Sequence, residues 1–210
     1  HLGTNETIQK IILGSTQVVP ASLFQTLPAL PNVIKGHALN NSQLEAVKFS
    51  IQRPFSMIHG PPGTGKTHTL AAIANSLVNY GKKEQKILVC APSNEASDNL
   101  AEMILQSGIS GLDQLLIVKS FMKQRQRSRA TLKKYMLHEQ VPPYRTDSRA
   151  ERDQIELARK ERVSACRIVV CTLSMAGGRT LVDQKFHYVL VDEASQCVEA
   201  ETLIAVAHGC

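Results

Sequence analysis

The stretch Gly60-Pro61-Pro62-Gly63-Thr64-Gly65-Lys66-Thr67 has residue types and spacing that suit one kind of chemistry. It fits G-x-x-x-x-G-K-[ST], whose glycines let successive backbone amides turn inward around a polyanion. A helix starting there adds the positive end of its dipole. Lys66 is spaced to reach the β- and γ-phosphates of a nucleotide, and the Thr67 hydroxyl to hold Mg²⁺. A second stretch, Asp192-Glu193-Ala194-Ser195-Gln196, follows four apolar residues. Asp192 at such a strand tip would complete a Mg²⁺ site with Thr67 through hard oxygen ligands. Glu193 could then orient or deprotonate an attacking water. An Asp-Glu pair can also be an ordinary helix N-terminus. Adjacent carboxylates at a buried strand end are costly without a cation, and the phosphate loop earlier in the chain favours the chemical reading.

These residues need strands and helices to place them. A strand over 55–58 and an Ala/Leu/Ile-rich helix over 69–78 are expected on either side of the phosphate loop. Ahead of it, 39–47 reads as a helix start capped by Asn or Ser, with apolar positions at Leu44, Val47 and Ile51. There Gln43 is either a solvent-facing helix residue or an adenine-reading amide, since it carries both a donor and an acceptor. Buried parallel strands are expected at 87–91, 115–118, 167–171 and 187–191. The first runs into Pro92-Ser93-Asn94 and the third into Thr172-Leu173-Ser174. Small polar residues at carboxyl strand ends mark ligand sites in open α/β sheets, although a capped turn has the same composition. The fold class that follows is α/β, a P-loop NTPase with a mainly parallel sheet flanked by helices.

Charge is unevenly spread. Segment 119–167 holds 14 Lys/Arg against 6 Asp/Glu, while the whole chain is only +6. All of the basic excess lies there, which suggests a polyanionic partner. Helical blocks at 121–140 and 148–163, split by Val141-Pro142-Pro143-Tyr144, read as an inserted basic hairpin at about 120–165. A solvated charged arm is the plainer alternative. The domain reading is residues 38–210 as one ATPase domain, with 1–37 as an N-terminal extension of no assignable role. Short strands are expected there at 8–13 and 17–19. No apolar run approaches a membrane span, and no membrane partner is expected. Five scattered cysteines fit a reducing, intracellular location, cytoplasmic or nuclear. The spacing of Cys166 and Cys171 is weak support for zinc.

Taken together, Leu-Asn-x-x-Gln, Gly-Pro-Pro-Gly-Thr-Gly-Lys-Thr, Ala-Pro-Ser-Asn, Cys-Thr-Leu-Ser and Asp-Glu-Ala-x-Gln resemble the superfamily 1 helicases. Within these the match is to the branch typified by the nonsense-mediated decay helicase, over about residues 39–207. It implies that the P-loop NTPase sheet is RecA-like and that 38–210 is a partial first RecA-like ATPase domain. The resemblance implies that Gln43 reads adenine and that Gly60, Pro61, Pro62, Gly63, Thr64, Gly65, Lys66 and Thr67 hold ATP and Mg²⁺. It implies that Pro92, Ser93, Asn94, Thr172 and Ser174 touch the backbone of a single strand, RNA favoured and DNA possible. Asp192 would be the metal partner, Glu193 the catalytic base, and Gln196 a γ-phosphate sensor. Glu95 and Ser97 depart from the mostly apolar residues of relatives. A further central strand and a second RecA-like domain with catalytic arginines are expected elsewhere in a longer parent chain, so this piece alone should turn over little ATP. The alternatives weighed are another P-loop ATPase, such as an AAA-type remodeller, and a non-catalytic nucleic-acid-binding module. A GTPase is disfavoured because no Asn-Lys-x-Asp motif occurs.

Overall fold

A computed structural model describes residues 38–120, 129–141 and 148–209. The short strands expected at 8–13 and 17–19, and parts of the basic segment (121–128 and 142–147), lie outside these residues. Helix α1 (Asn41–Ile51) starts at a reciprocal cap: Asn40 Oδ1 accepts from the Gln43 amide and Gln43 Oε1 from the Asn40 amide. Helix α2 (Lys66–Tyr80) is Ala- and Leu-rich, and its middle is buried throughout. Then follow β1 (Ile87–Ala91), α3 (Asn94–Gln106) and β2 (Leu115–Val118). After a 3₁₀ turn (Ala130–Tyr135) come α4 (Leu137–Gln140), α5 (Arg149–Ser164), β3 (Ile168–Thr172), α6 (Leu173–Ala176), β4 (Tyr188–Val191) and α7 (Glu199–Val206).

The four strands form one parallel sheet in the order β2-β3-β1-β4. Strands β1, β2 and β3 are buried at every position because helices cover both faces. On one face Ile87, Val89, Ile117 and Val170 pack against α1, α2 and α3. On the other Leu88, Cys90, Leu116 and Cys171 meet Leu137, Val163, Leu173 and Ala205 of α4 to α7. This is the expected α/β P-loop architecture, a three-layer sandwich built on alternating strand residues.

Two expected elements differ. Residues 56–60 form no strand, and Met57 is 80% exposed. A strand requires a hydrogen-bonding neighbour. None pairs with 56–60 among the described residues, and the outer edge of β4 is likewise open there, with all four positions only half-buried. The described part of block 121–140 is not one helix either. Met136 is extended (φ −76°, ψ 133°) and bridges Ile117 of β2, so it is fully buried and separates the 3₁₀ turn from α4. Core packing wins over helical periodicity here. The second block matches closely: α5 is capped by Ser148 and buries only Val163. Its C-terminal half is tied down by Lys160–Asp183 (2.5 Å) and by Arg162, which reaches Gln140, Cys166 and the Leu112 carbonyl.

Candidate nucleotide and nucleic-acid site

The phosphate loop turns on two left-handed glycines, Gly63 (φ +79°) and Gly65 (φ +80°). Within it the Thr64 hydroxyl donates to the Pro61 carbonyl at 2.8 Å. Lys66 Nζ donates to the carbonyls of Gly60 (2.8 Å) and Pro61 (3.0 Å), which holds the ammonium over the loop. Thr67 lies in the first turn of α2, and the Thr69 hydroxyl donates to Gly65 O. Gln43 reaches the loop from α1, where its Nε2 donates to the Thr64 carbonyl at 2.9 Å. The amide expected to read a base thus also braces the phosphate loop, with one Nε2 hydrogen left over.

Asp192 follows β4 directly and is buried, 7% exposed. Its amide continues the ladder to the Cys90 carbonyl (2.9 Å), so the strand's two-residue alternation extends to it. Tyr188 and Leu190 pack toward the α1–α3 layer, and Val189 and Val191 toward the other. Asp192 shares the parity of Tyr188 and Leu190, which assigns its side chain to the face that α2 covers. Arg167, the residue before β3, donates to the carbonyls of Leu77, Gly81 and Lys82 at the end of α2. This puts the C-terminus of that helix at the amino edge of the sheet and directs its N-terminus, with Thr67, toward the carboxyl edge. No cation pairs with Asp192 among the described residues; its Oδ1 accepts from the Glu193 amide at 3.1 Å. A buried carboxylate and a hydroxyl at one sheet edge are a hard-oxygen donor set that fits Mg²⁺, which takes one or two protein ligands and keeps its waters. Glu193 is exposed and is the sole non-glycine residue with positive φ among those described (φ 51°, ψ 35°). Such conformations cost on the order of 1–2 kcal/mol and concentrate at functional positions. Gln196 ends the 3₁₀ turn Ala194–Gln196 and is exposed.

Strands β1 and β3 are neighbours, with Ala91 opposite Thr172. Pro92, Ser93 and Asn94 therefore emerge beside Thr172 and Ser174. The Ser93 hydroxyl caps α3, accepting from the Ala96 amide at 3.1 Å, and Thr172 and Ser174 hydroxyls lie 3.3 Å apart. Of the two departures, Ser97 is buried and bonds back to the Asn94 carbonyl, while Glu95 is exposed in the first turn of α3. The ion pair of Asp98 with Lys119 was not anticipated from the motifs. Asp98 and Glu102, four apart on α3, are the signal that points to it. Cys90 and Cys171 face each other at 3.8 Å with both thiols free, and no group of three His, Cys, Asp or Glu suited to a metal occurs among the described residues.

A family model described as "AAA domain" matches residues 38–144 and 118–210. The chain belongs to this family. It is 34% identical over 219 residues to "ATP-dependent helicase upf1" of Schizosaccharomyces pombe, covering 91% of this chain and 23% of that protein. It is 35% identical over 223 residues to "ATP-dependent helicase NAM7" of Saccharomyces cerevisiae, covering 94% of this chain and 21% of that one. It is also 35% identical over 198 residues to "DNA polymerase alpha-associated DNA helicase A" of Schizosaccharomyces pombe, covering 79% of this chain and 29% of that protein. The chain thus spans less than a third of the length of these relatives. The resemblance drawn from the motifs, to superfamily 1 helicases of the nonsense-mediated decay branch, stands in these relatives.

Proposed function

We propose that this chain is the first RecA-like motor domain of an ATP-dependent helicase or translocase acting on single-stranded nucleic acid. The observation that supports the reading is the parity of β4: Asp192 falls in step with Tyr188 and Leu190, which pack toward the layer that holds α2. In this reading residues 60–67 wrap the triphosphate, and Lys66 leaves the Gly60 and Pro61 carbonyls for phosphate oxygens. Gln43 contacts adenine while bracing Thr64. Thr67 and Asp192 hold Mg²⁺, which supplies charge neutralisation on the phosphates when bound. Glu193 takes the proton of the attacking water, and Gln196 reports the γ-phosphate. Pro92, Ser93, Asn94, Thr172 and Ser174 contact the strand's backbone, with the basic insertion at about 120–165 adding electrostatic attraction.

RNA is favoured over DNA because relatives carry names such as "Regulator of nonsense transcripts 1 homolog", though a DNA helicase is also among them. A second RecA-like domain of the same parent chain would supply arginines, which are worth roughly a thousand-fold or more in phosphoryl transfer. An intracellular setting accompanies that role. Among the described residues no helix is long and apolar enough to cross a membrane. The test is ATP turnover by the full-length protein with RNA, with DNA and with neither. Stimulation by single strands that vanishes in Lys66→Ala and Glu193→Gln is expected. Turnover indifferent to nucleic acid, or unchanged in both variants, overturns the assignment.

A further inference from the structure

Helix α3 carries Asp98, Asn99 and Glu102 along one side. Asp98 Oδ1 lies 2.6 Å from Lys119 Nζ, and the two side chains are 11% and 8% exposed. One turn on, Glu102 Oε2 pairs with the Arg129 guanidinium, which also donates to Asn99 Oδ1. The other Glu102 oxygen accepts from the Thr131 hydroxyl at 3.0 Å. Lys119 is the residue after β2, and Arg129 precedes the 3₁₀ turn that returns along that strand. A single helix is therefore fastened at two points to the sheet's far edge. The Ser93–Asn94 cap beside Thr172 lies one turn before Asp98 on the same helix.

Leu100, Ala101 and Ile104 already hold α3 on the sheet. Apolar contact is non-directional and tolerates sliding along the helix axis. A buried ion pair adds little net stability over an apolar pair, yet it accepts one geometry. We infer that Asp98 and Glu102 are positioning residues: through Lys119 and Arg129 they set the axial position of α3, and with it the placement of Ser93 and Asn94 against a bound strand. The inference rests on the proposed nucleic-acid reading. It also removes Lys119 and Arg129 from the cations that touch phosphate, although both belong to the basic segment.

The experiment uses the full-length protein and fluorescently labelled single-stranded oligonucleotides, RNA and DNA, titrated between 50 and 200 mM salt. A fluorescent ATP analogue and the thermal midpoint are followed alongside. Arg129→Glu and Glu102→Arg each weaken oligonucleotide binding about three- to tenfold, the size of a typical coupling between contacting residues. Their salt slope and nucleotide affinity hold, and the swapped pair Glu102→Arg with Arg129→Glu returns to within about twofold of wild type. Asp98→Asn behaves as the single variants do, and should it not fold, the half-buried Glu102–Arg129 pair decides alone. A salt slope reduced by about one in Arg129→Glu, unrestored by the swap, makes Arg129 a phosphate contact and overturns the inference. Unchanged binding in every variant overturns it too, as does a parallel loss of nucleotide affinity. Absence of oligonucleotide binding by the wild type instead sinks the nucleic-acid reading, and this inference with it.

Discussion

Replacing Gly65 with alanine tests how the phosphate loop is held. Gly65 sits at φ +80°, and a Cβ there would fall 2.6 Å from Gln43 Nε2. Gly63 has the same handedness (φ +79°) but meets nothing within 4 Å. A left-handed alanine costs about 1–2 kcal/mol at either position. At Gly65 the methyl must also expel the Gln43 amide from the Thr64 carbonyl, a loss of about 0.5–1.5 kcal/mol. Gly63→Ala should therefore cost about 1–2 kcal/mol and Gly65→Ala about 2–3 kcal/mol, with each 1.4 kcal/mol worth about tenfold in affinity. The cost is read as weaker binding of a fluorescent ATP analogue, together with any fall in the thermal midpoint. In a Gln43→Ala background the two alanines should become equivalent, because the clash has no partner. An equal Gly65→Ala penalty with and without the Gln43 side chain refutes the reasoning.

Further predictions concern the frame around the site. The His208 ring nitrogens lie 2.9 Å from the Gln184 carbonyl and 2.8 Å from that of Ala176. An imidazole with one N–H serves one of these carbonyls. His208→Leu therefore strands at least that acceptor and should cost about 1–3 kcal/mol by denaturant unfolding, and a loss below about 1 kcal/mol would contradict it. Burial pushes the His138 pKa below its usual 6.5, opposed by Glu139 and reinforced by Arg159, Lys119 and Lys133. The unfolded chain binds that proton more readily, so stability present above pH 6.5 declines as pH falls toward the depressed folded value. His138→Leu should flatten this part of the stability profile, and an unchanged profile excludes His138 as its source. The Cys171 thiol is pushed well up by its hydrogen bond to Cys90 and by burial, and burial also raises Cys166. Both should resist alkylation at neutral pH until the chain unfolds, as peptide mass spectrometry would show; rapid native modification would contradict their burial.

Much of this was legible because the motifs announce themselves by residue type. The phosphate loop, the Asp-Glu pair and four apolar runs led to the parallel sheet and to most of the residues at its carboxyl edge. Long-range facts were not legible. That Gln43 braces Thr64 depends on how α1 lies against the loop, which no local pattern encodes. Leu132, Tyr135 and Met136 recur at a helix-like spacing, yet Met136 pairs with Ile117 instead, because burial beside β2 outweighs local propensity. The 55–58 run has strand composition, but pairing decides strands. Lys119 and Arg129 read as part of a basic surface, and only tertiary structure shows their carboxylate partners on α3.

The alternation along β4 makes the site sensitive to length as well as to identity. Inserting or deleting one residue between Tyr188 and Val191 would leave every chemically important side chain in place in the sequence. It would nevertheless transfer the Asp192 carboxylate to the layer occupied by α4 to α7, across the sheet from α2 and the phosphate loop. On the proposed reading an indel of this kind would silence the protein with its motifs still readable, whereas a two-residue change would restore the facing and disturb only the reach.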